Sequence, residues 1–168
     1  PRPGEQDGRE YYFLDEEEFD RRRQNGAFLE YAELHGHYYG TLCAEVDRTH
    51  SKGHDAILVI DTQGAAALRK VLSTAVTVFV LPPSLQVLEQ RLRVRDGSEP
   101  ARQADHAARL KVAVHEIEQY LSYDYVIVNA DLETAVAELL AIVRAERSRQ
   151  VRRLAEAEAV LAAFRGSA

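Results

Sequence analysis

Three short runs constrain this 168-residue chain more than any other feature: AILVID at 56–61, VTVFVL at 76–81 and YVIVN at 125–129. A half-exposed strand alternates apolar and polar residues, whereas a near-continuous apolar run suits a strand covered on both faces. The runs are separated by helical segments (AAALRKVL, LQVLEQRLRVR). Apolar strands alternating with helices predict an α/β architecture, a parallel sheet with helices on both faces. Ligand-facing groups are expected at the carboxyl ends of such strands. Asp61 and Asn129 stand there.

The rest of the chain is organised around that core. Residues 1–13 read as a loop leading into a short strand, and 15–25 as a helix with Asp15 as N-cap, Glu18 at the capping-box position and Gly26 as its stop. Residues 27–41 alternate loosely, like strands of a small antiparallel sheet. Ser84, after Pro82-Pro83, is expected to cap the next helix. A single long helix is expected over 132–165, with a stripe of Val136, Leu140, Val143, Val151, Leu154 and Leu161. It reads as a docking helix with a charged extension, or as a contact between copies in a homo-oligomer.

Composition narrows the function classes. Apolar residues make up 46% and charged residues 29%, which is globular rather than disordered composition. A net charge of −6 argues against general binding to nucleic acid or to an anionic membrane surface. No run approaches the length of a membrane span. Cys43 is the one cysteine, which fits a reducing, cytoplasmic compartment. The chain contains no Met and opens Pro-Arg-Pro, so it is expected to begin inside a longer parent.

The most unusual segment is LEYAELHGHYYGT, residues 29–41. Three tyrosines, two histidines, two glycines, a Thr and a Glu30 that interrupts the apolar pattern suit neither a core strand nor a solvated loop. The mixture points to a surface that holds a polar, flat, anionic ligand. His35 and His37 have the spacing of a metal pair on a strand, but no third ligand accompanies them, and no metal site is read here.

Taken in order, several blocks resemble the guanylate kinase family. PRPGEQDGREYYF is similar to its PRxGExxGxDYxF, FLEYAELHGHYYGT to FLEWAxxHGNYYGT, LVIDTQG to LEIDVQG, VLPPSLQVLEQRL to ILPPSxxxLxxRL, and VIVNADL to VIVNDDL. The resemblance runs from Pro1 to about Arg147. It implies a P-loop nucleoside monophosphate kinase-like fold with a GMP-binding subdomain over 1–42 and a lid over 93–110. The implied activity is phosphorylation of GMP by ATP with Mg2+.

The resemblance also implies roles. Glu30 matches the guanine-reading glutamate, since a carboxylate accepts both N1–H and the exocyclic amine. Thr41 matches a hydroxyl that donates to O6. Tyr11, Tyr39 and Arg2 match the groups that hold the GMP phosphate, a bidentate guanidinium suiting phosphate geometry. Gly36 and Gly40 are expected to let the backbone bend around the ligand. Arg91, Arg95 and Arg109 match arginines at the base and arms of the lid, and Asn129 a residue beside the adenine pocket. Asp61 matches an acid near the hydrated magnesium or the guanine site; a strand-end Asp otherwise often caps a helix.

The sequence departs from the family in places. The family begins with a strand and a glycine-rich phosphate loop, GxxGxGKS/T, which this sequence does not contain. The chain alone is therefore expected to be inactive and to fold poorly. Val59 stands where the family usually has an acid, Asp96 where it has a hinge glycine, and Ala130 where it has an acid. A rival reading follows: a catalytically inactive guanylate kinase-like module that binds a peptide or a guanine nucleotide.

Overall fold

The computed structural model describes residues 1, 4–34, 36–96 and 106–166, with side chains at all of these except 95–96 and 106–111. The chain divides into two units, 1–76 and 77–168.

The first unit opens with a turn-rich loop. Among its described residues no strand forms; Asp7 and Tyr11 make an isolated bridge. Helix α1 spans Glu16–Gln24, capped by Asp15, whose carboxylate accepts from the Glu18 amide. The Glu18 carboxylate is held by Arg21 and Arg22. Gly26 has φ +66°. The Gly26 amide donates to the Arg23 carbonyl and the Ala27 amide to that of Arg22, a left-handed stop that only glycine adopts without strain. The hairpin follows: β1, Phe28–Leu34, runs antiparallel to β2, His37–Leu42. Helix α2, Cys43–Ser51, continues directly from β2, and α3 spans Thr62–Val71. Ala65 and Leu68 of α3 are buried, and α3 packs on β1.

The apolar run 56–61 forms no strand. A strand is made by the neighbour that completes its ladder, and among the described residues none pairs with this run. Ile57 and Val59 are exposed, Val59 at 96%. Among the described residues the parallel sheet accordingly has two strands, not three.

In the second unit those two strands are β3, Val78–Leu81, and β4, Tyr125–Val128, paired in parallel with Val78 opposite Tyr125. Thr77 fixes the register. Its amide and hydroxyl donate to Asp124 Oδ2 at 2.8 and 2.7 Å, and its carbonyl accepts from the Tyr125 amide at 3.1 Å. Ile127 is the most enclosed hydrophobic side chain among the described residues. Helix α4, Leu85–Asp96, begins beside Ser84, whose hydroxyl accepts from the Val87 amide. Helix α5 spans His106–Ile117, and a 3-10 turn covers Glu118–Ser122.

The expected single helix over 132–165 is two helices: α6, Leu132–Arg147, and α7, Gln150–Gly166. Neither Gly nor Pro breaks it. Ser148 closes α6, its hydroxyl donating to the Arg144 carbonyl, and the turn lets Arg149 and Arg152 both reach Glu146. Helix α7 is exposed along its whole described length. No helix among the described residues is long and apolar enough to cross a membrane.

Candidate functional site

The segment 29–41 sorts its side chains by strand parity. Glu30 lies opposite Thr41, Ala32 opposite Tyr39 and Leu34 opposite His37. Side chains alternate faces along a strand, so Glu30, His37, Tyr39 and Thr41 share one face. Tyr31, Tyr38 and Gly40 share the other, where α1 packs. Phe19 stacks on Phe28 and Tyr38 with centroids 4.5 and 5.4 Å apart, and meets Tyr31 edge-on at 6.5 Å.

A bulge between Phe28 and Glu30 makes this sorting possible. One extra residue inverts parity. It puts Phe28 on the aromatic face and leaves Glu30 on the polar one. Gly40 belongs to the aromatic face too. A Cβ there would lie 2.9 Å from Phe28 Cδ1 and 3.0 Å from Tyr31 Cβ. Gly36, at φ +75°, makes the hairpin turn. The two glycines expected to bend around a ligand thus serve packing and the turn.

On the polar face, Glu30 is only 5% exposed. The Thr41 hydroxyl donates to its Oε1 at 2.6 Å. Its Oε2 lies against Gly64 of α3, where a Cβ would come within 2.7 Å. The Gly64 amide donates to Asp61 Oδ1 at 2.8 Å, which makes Asp61 the N-cap of α3. Asp61 Oδ2 is buried with no hydrogen-bond partner among the described residues. Asp61 is therefore both a cap and a source of one spare acceptor. Tyr11 and Tyr39 meet edge-to-face with centroids 5.9 Å apart, both substantially exposed. The structure thus brings together Glu30, Thr41 and Asp61, and pairs Tyr11 with Tyr39. Arg2 and His35 lie outside the described residues.

Gly64 belongs to this candidate site by its contacts with Glu30 and Asp61, and the sequence reading missed it. Its signal was a glycine in the first turn of a helix, three residues after a capping Asp. Such a position gives up helix propensity without any turn to explain it.

In the second unit, Arg91 Nη2 donates to the backbone carbonyl of Asn129 at 2.9 Å. Asn129 Oδ1 is buried with no hydrogen-bond partner among the described residues. The structure therefore joins two of the expected donor-side residues. The side chains of Arg95 and Arg109, and residues 97–105 of the expected lid over 93–110, lie outside the described residues. No cluster of three or more His, Cys, Asp or Glu able to hold a metal occurs among the described residues.

With this geometry in place, comparison with known proteins is decisive: the guanylate kinase family model matches residues 1–146. The chain belongs to the guanylate kinase family. It is 51% identical over 151 residues to a guanylate kinase of Symbiobacterium thermophilum, covering 90% of this chain and 70% of that one. It is 45% identical over 146 residues to a guanylate kinase of Methylococcus capsulatus, covering 87% and 70%. Its fold matches the crystal structure of guanylate kinase from Anaplasma phagocytophilum with a TM-score of 0.77 at 37% identity, covering 90% of this chain and 73% of that one. The α/β class is thereby that of guanylate kinases, and the rival reading as an inactive binding module gains no support from these relatives.

Proposed function

We propose that the protein is an ATP:GMP phosphotransferase, moving the γ-phosphoryl group of ATP onto GMP to give GDP and ADP. One observation carries the substrate choice: Glu30 is buried, yet among the described residues its carboxylate has only the Thr41 hydroxyl as a hydrogen-bond partner. A buried carboxylate needs donors. Guanine offers two adjacent ones, N1–H and the exocyclic amine. Thr41 turns its proton toward O6 when the base arrives.

Tyr11 and Tyr39 hold the phosphate at the exposed end of the same face, with Arg2 as its cationic partner. These residues make up the GMP-binding region over 1–42. On the donor side, Arg91 and Asn129 hold ATP, and Arg95 and Arg109 of the lid over 93–110 neutralise charge that spreads over the transferred group. Phosphoryl transfer asks little covalent chemistry of a protein; alignment and positive charge do most of the work. Mg2+ bound to ATP is usually held by one or two carboxylates and the phosphates. The spare oxygen of Asp61 fits that demand, alone or through water. When bound, the magnesium would supply neutralisation of phosphate charge. On this reading the enzyme serves purine nucleotide metabolism, and the single cysteine, Cys43, supports a reducing, cytoplasmic compartment.

The test is turnover by the full-length protein. ADP should form from ATP with GMP and not with AMP or UMP. Glu30→Gln replaces one acceptor by a donor aimed at the amine. It should lower kcat/KM for GMP about 100-fold, the worth of one to two charge-assisted hydrogen bonds, with KM for ATP unchanged. Turnover of AMP in preference to GMP would overturn the assignment.

A further inference from the structure

We propose that the Tyr12–Glu45–Arg48 cluster positions Tyr11 for the substrate phosphate. The inference rests on the GMP reading above. Tyr11 and Tyr12 are consecutive, exposed, and carried by the turn-rich loop before α1. That loop holds its own shape. The Phe13 amide donates to Asp7 Oδ1 at 2.8 Å, the Gly8 amide to the Tyr11 carbonyl at 2.7 Å and the Gln6 amide to Glu10 Oε2 at 2.8 Å. These bonds are internal and leave the loop's place beside the hairpin open.

Tyr11 and Tyr12 both link it outward by side-chain contacts. Tyr11 does so by its ring contact with Tyr39. Tyr12 does so by its hydroxyl, which donates to Glu45 Oε1 at 3.2 Å. Glu45 lies in the first turn of α2, the helix that continues β2 beyond Tyr39 and Thr41. The loop is therefore tied to the same strand and helix that carry the rest of the site.

Glu45 suits this task because it stays charged. Arg48, one turn on, bonds its other oxygen. That hydrogen bond, against a smaller opposing effect of burial, holds the Glu45 carboxyl below the usual carboxylate range, and Arg48 in turn is raised. A charged acceptor makes a stronger bond than a neutral one. With Tyr12 fixed, Tyr11 has less freedom to lose when a phosphate arrives, which is how pre-organisation adds affinity.

Calorimetric binding of GMP and of guanosine tests this, because guanosine has no phosphate for Tyr11 to hold. Tyr12→Phe and Glu45→Ala should each weaken GMP binding about threefold to tenfold. Guanosine affinity and kcat at saturating GMP should stay within about twofold. The double variant should be no weaker than either single one, since both remove the same bond. Unchanged GMP affinity, equal losses for GMP and guanosine, or additive losses would each overturn the inference. Failure of the unsubstituted protein to bind GMP would instead overturn the functional reading beneath it.

Discussion

Among the described residues each unit contains one buried glutamate, and the two are treated differently. Glu30 in the first unit and Glu146 in the second are 5% and 8% exposed. Each accepts one hydroxyl, Thr41 at 2.6 Å and Tyr125 at 2.7 Å. Glu146 then gains two cations, Arg149 at 3.3 Å and Arg152 at 3.7 Å. Among the described residues no cation pairs with Glu30. A buried charge is costly until it is paired and hydrogen-bonded. Glu146 is satisfied by the chain itself, so it acts as a clasp that holds the break between α6 and α7 against β4. Glu30 keeps acceptor capacity on a face that also carries the spare oxygen of Asp61. Burial alone does not separate a structural acid from a binding one; what remains unsatisfied does.

The comparison breaks most sharply at Gly64. A Cβ there falls 2.7 Å from Glu30 Oε2, 3.2 Å from Asp61 Oδ1 and 3.3 Å from Ile60 Cβ. The closest of these atoms ends a flexible side chain, so the fold can yield by moving the carboxylate. Alanine also gains about 1 kcal/mol of helix propensity over glycine. Gly64→Ala should therefore leave the melting temperature unchanged or raised. It should lower kcat/KM for GMP about 10- to 100-fold, because the displaced carboxylate no longer meets both guanine donors. A parallel fall in stability and GMP activity would show that Gly64 serves packing, as Gly40 does.

Much of this was legible in the sequence, and the failures share a cause. Helix α1 was readable because Asp15, Glu18 and Gly26 are local signals. β3 and β4 were readable because each supplies the other's ladder. The run 56–61 has the same composition as those strands, but a strand also needs a neighbour, and composition does not reveal one. The bulge at Leu29 is invisible for a similar reason: strict alternation would have put Phe28 on the face of Glu30. The break at Ser148–Arg149 is accompanied by a bond that no local pattern shows, from the hydroxyl of Tyr125 to Glu146. Glu30, Thr41, Tyr11 and Tyr39 emerged only because ordered blocks matched a family. Taken singly, each resembles an ordinary surface residue.

Adjacent tyrosines sharpen the contrast within one strand. Tyr38 stacks on Phe19, while Tyr39 meets Tyr11 on the opposite face. Tyr38→Ala should cost about 1–2 kcal/mol of stability, an aromatic pair and part of its burial, with KM for GMP nearly unchanged. Tyr39→Phe keeps the ring and removes the hydroxyl. It should raise KM for GMP about tenfold, one hydrogen bond to an anion, with an unchanged denaturation midpoint. Matching effects from both substitutions would mean that strand parity does not divide packing from binding here.

The smallest expected effect isolates the clasp by pH. Hydrogen bonding from Tyr125 holds the Glu146 carboxyl below its ordinary range, against an opposing effect of burial and with help from Arg149 and Arg152. The same bond pushes the Tyr125 phenol above its ordinary value. A depressed carboxyl contributes stability that is fully present above its unfolded value, about 4.3, and is lost as pH falls through the folded one. A raised phenol contributes stability that is fully present below about 10 and is lost as pH rises through the folded value. The clasp should therefore be intact between these limits and weaken at both ends. Glu146→Gln removes the titrating carboxylate. Its melting temperature should start lower at neutral pH and fall less steeply below about pH 4 than that of the unsubstituted protein, while GMP affinity at neutral pH stays the same. Equal slopes in acid would mean that the arginines and the Tyr125 hydroxyl do not favour the ionised form of Glu146. The contrast with Glu30 would then rest on geometry alone.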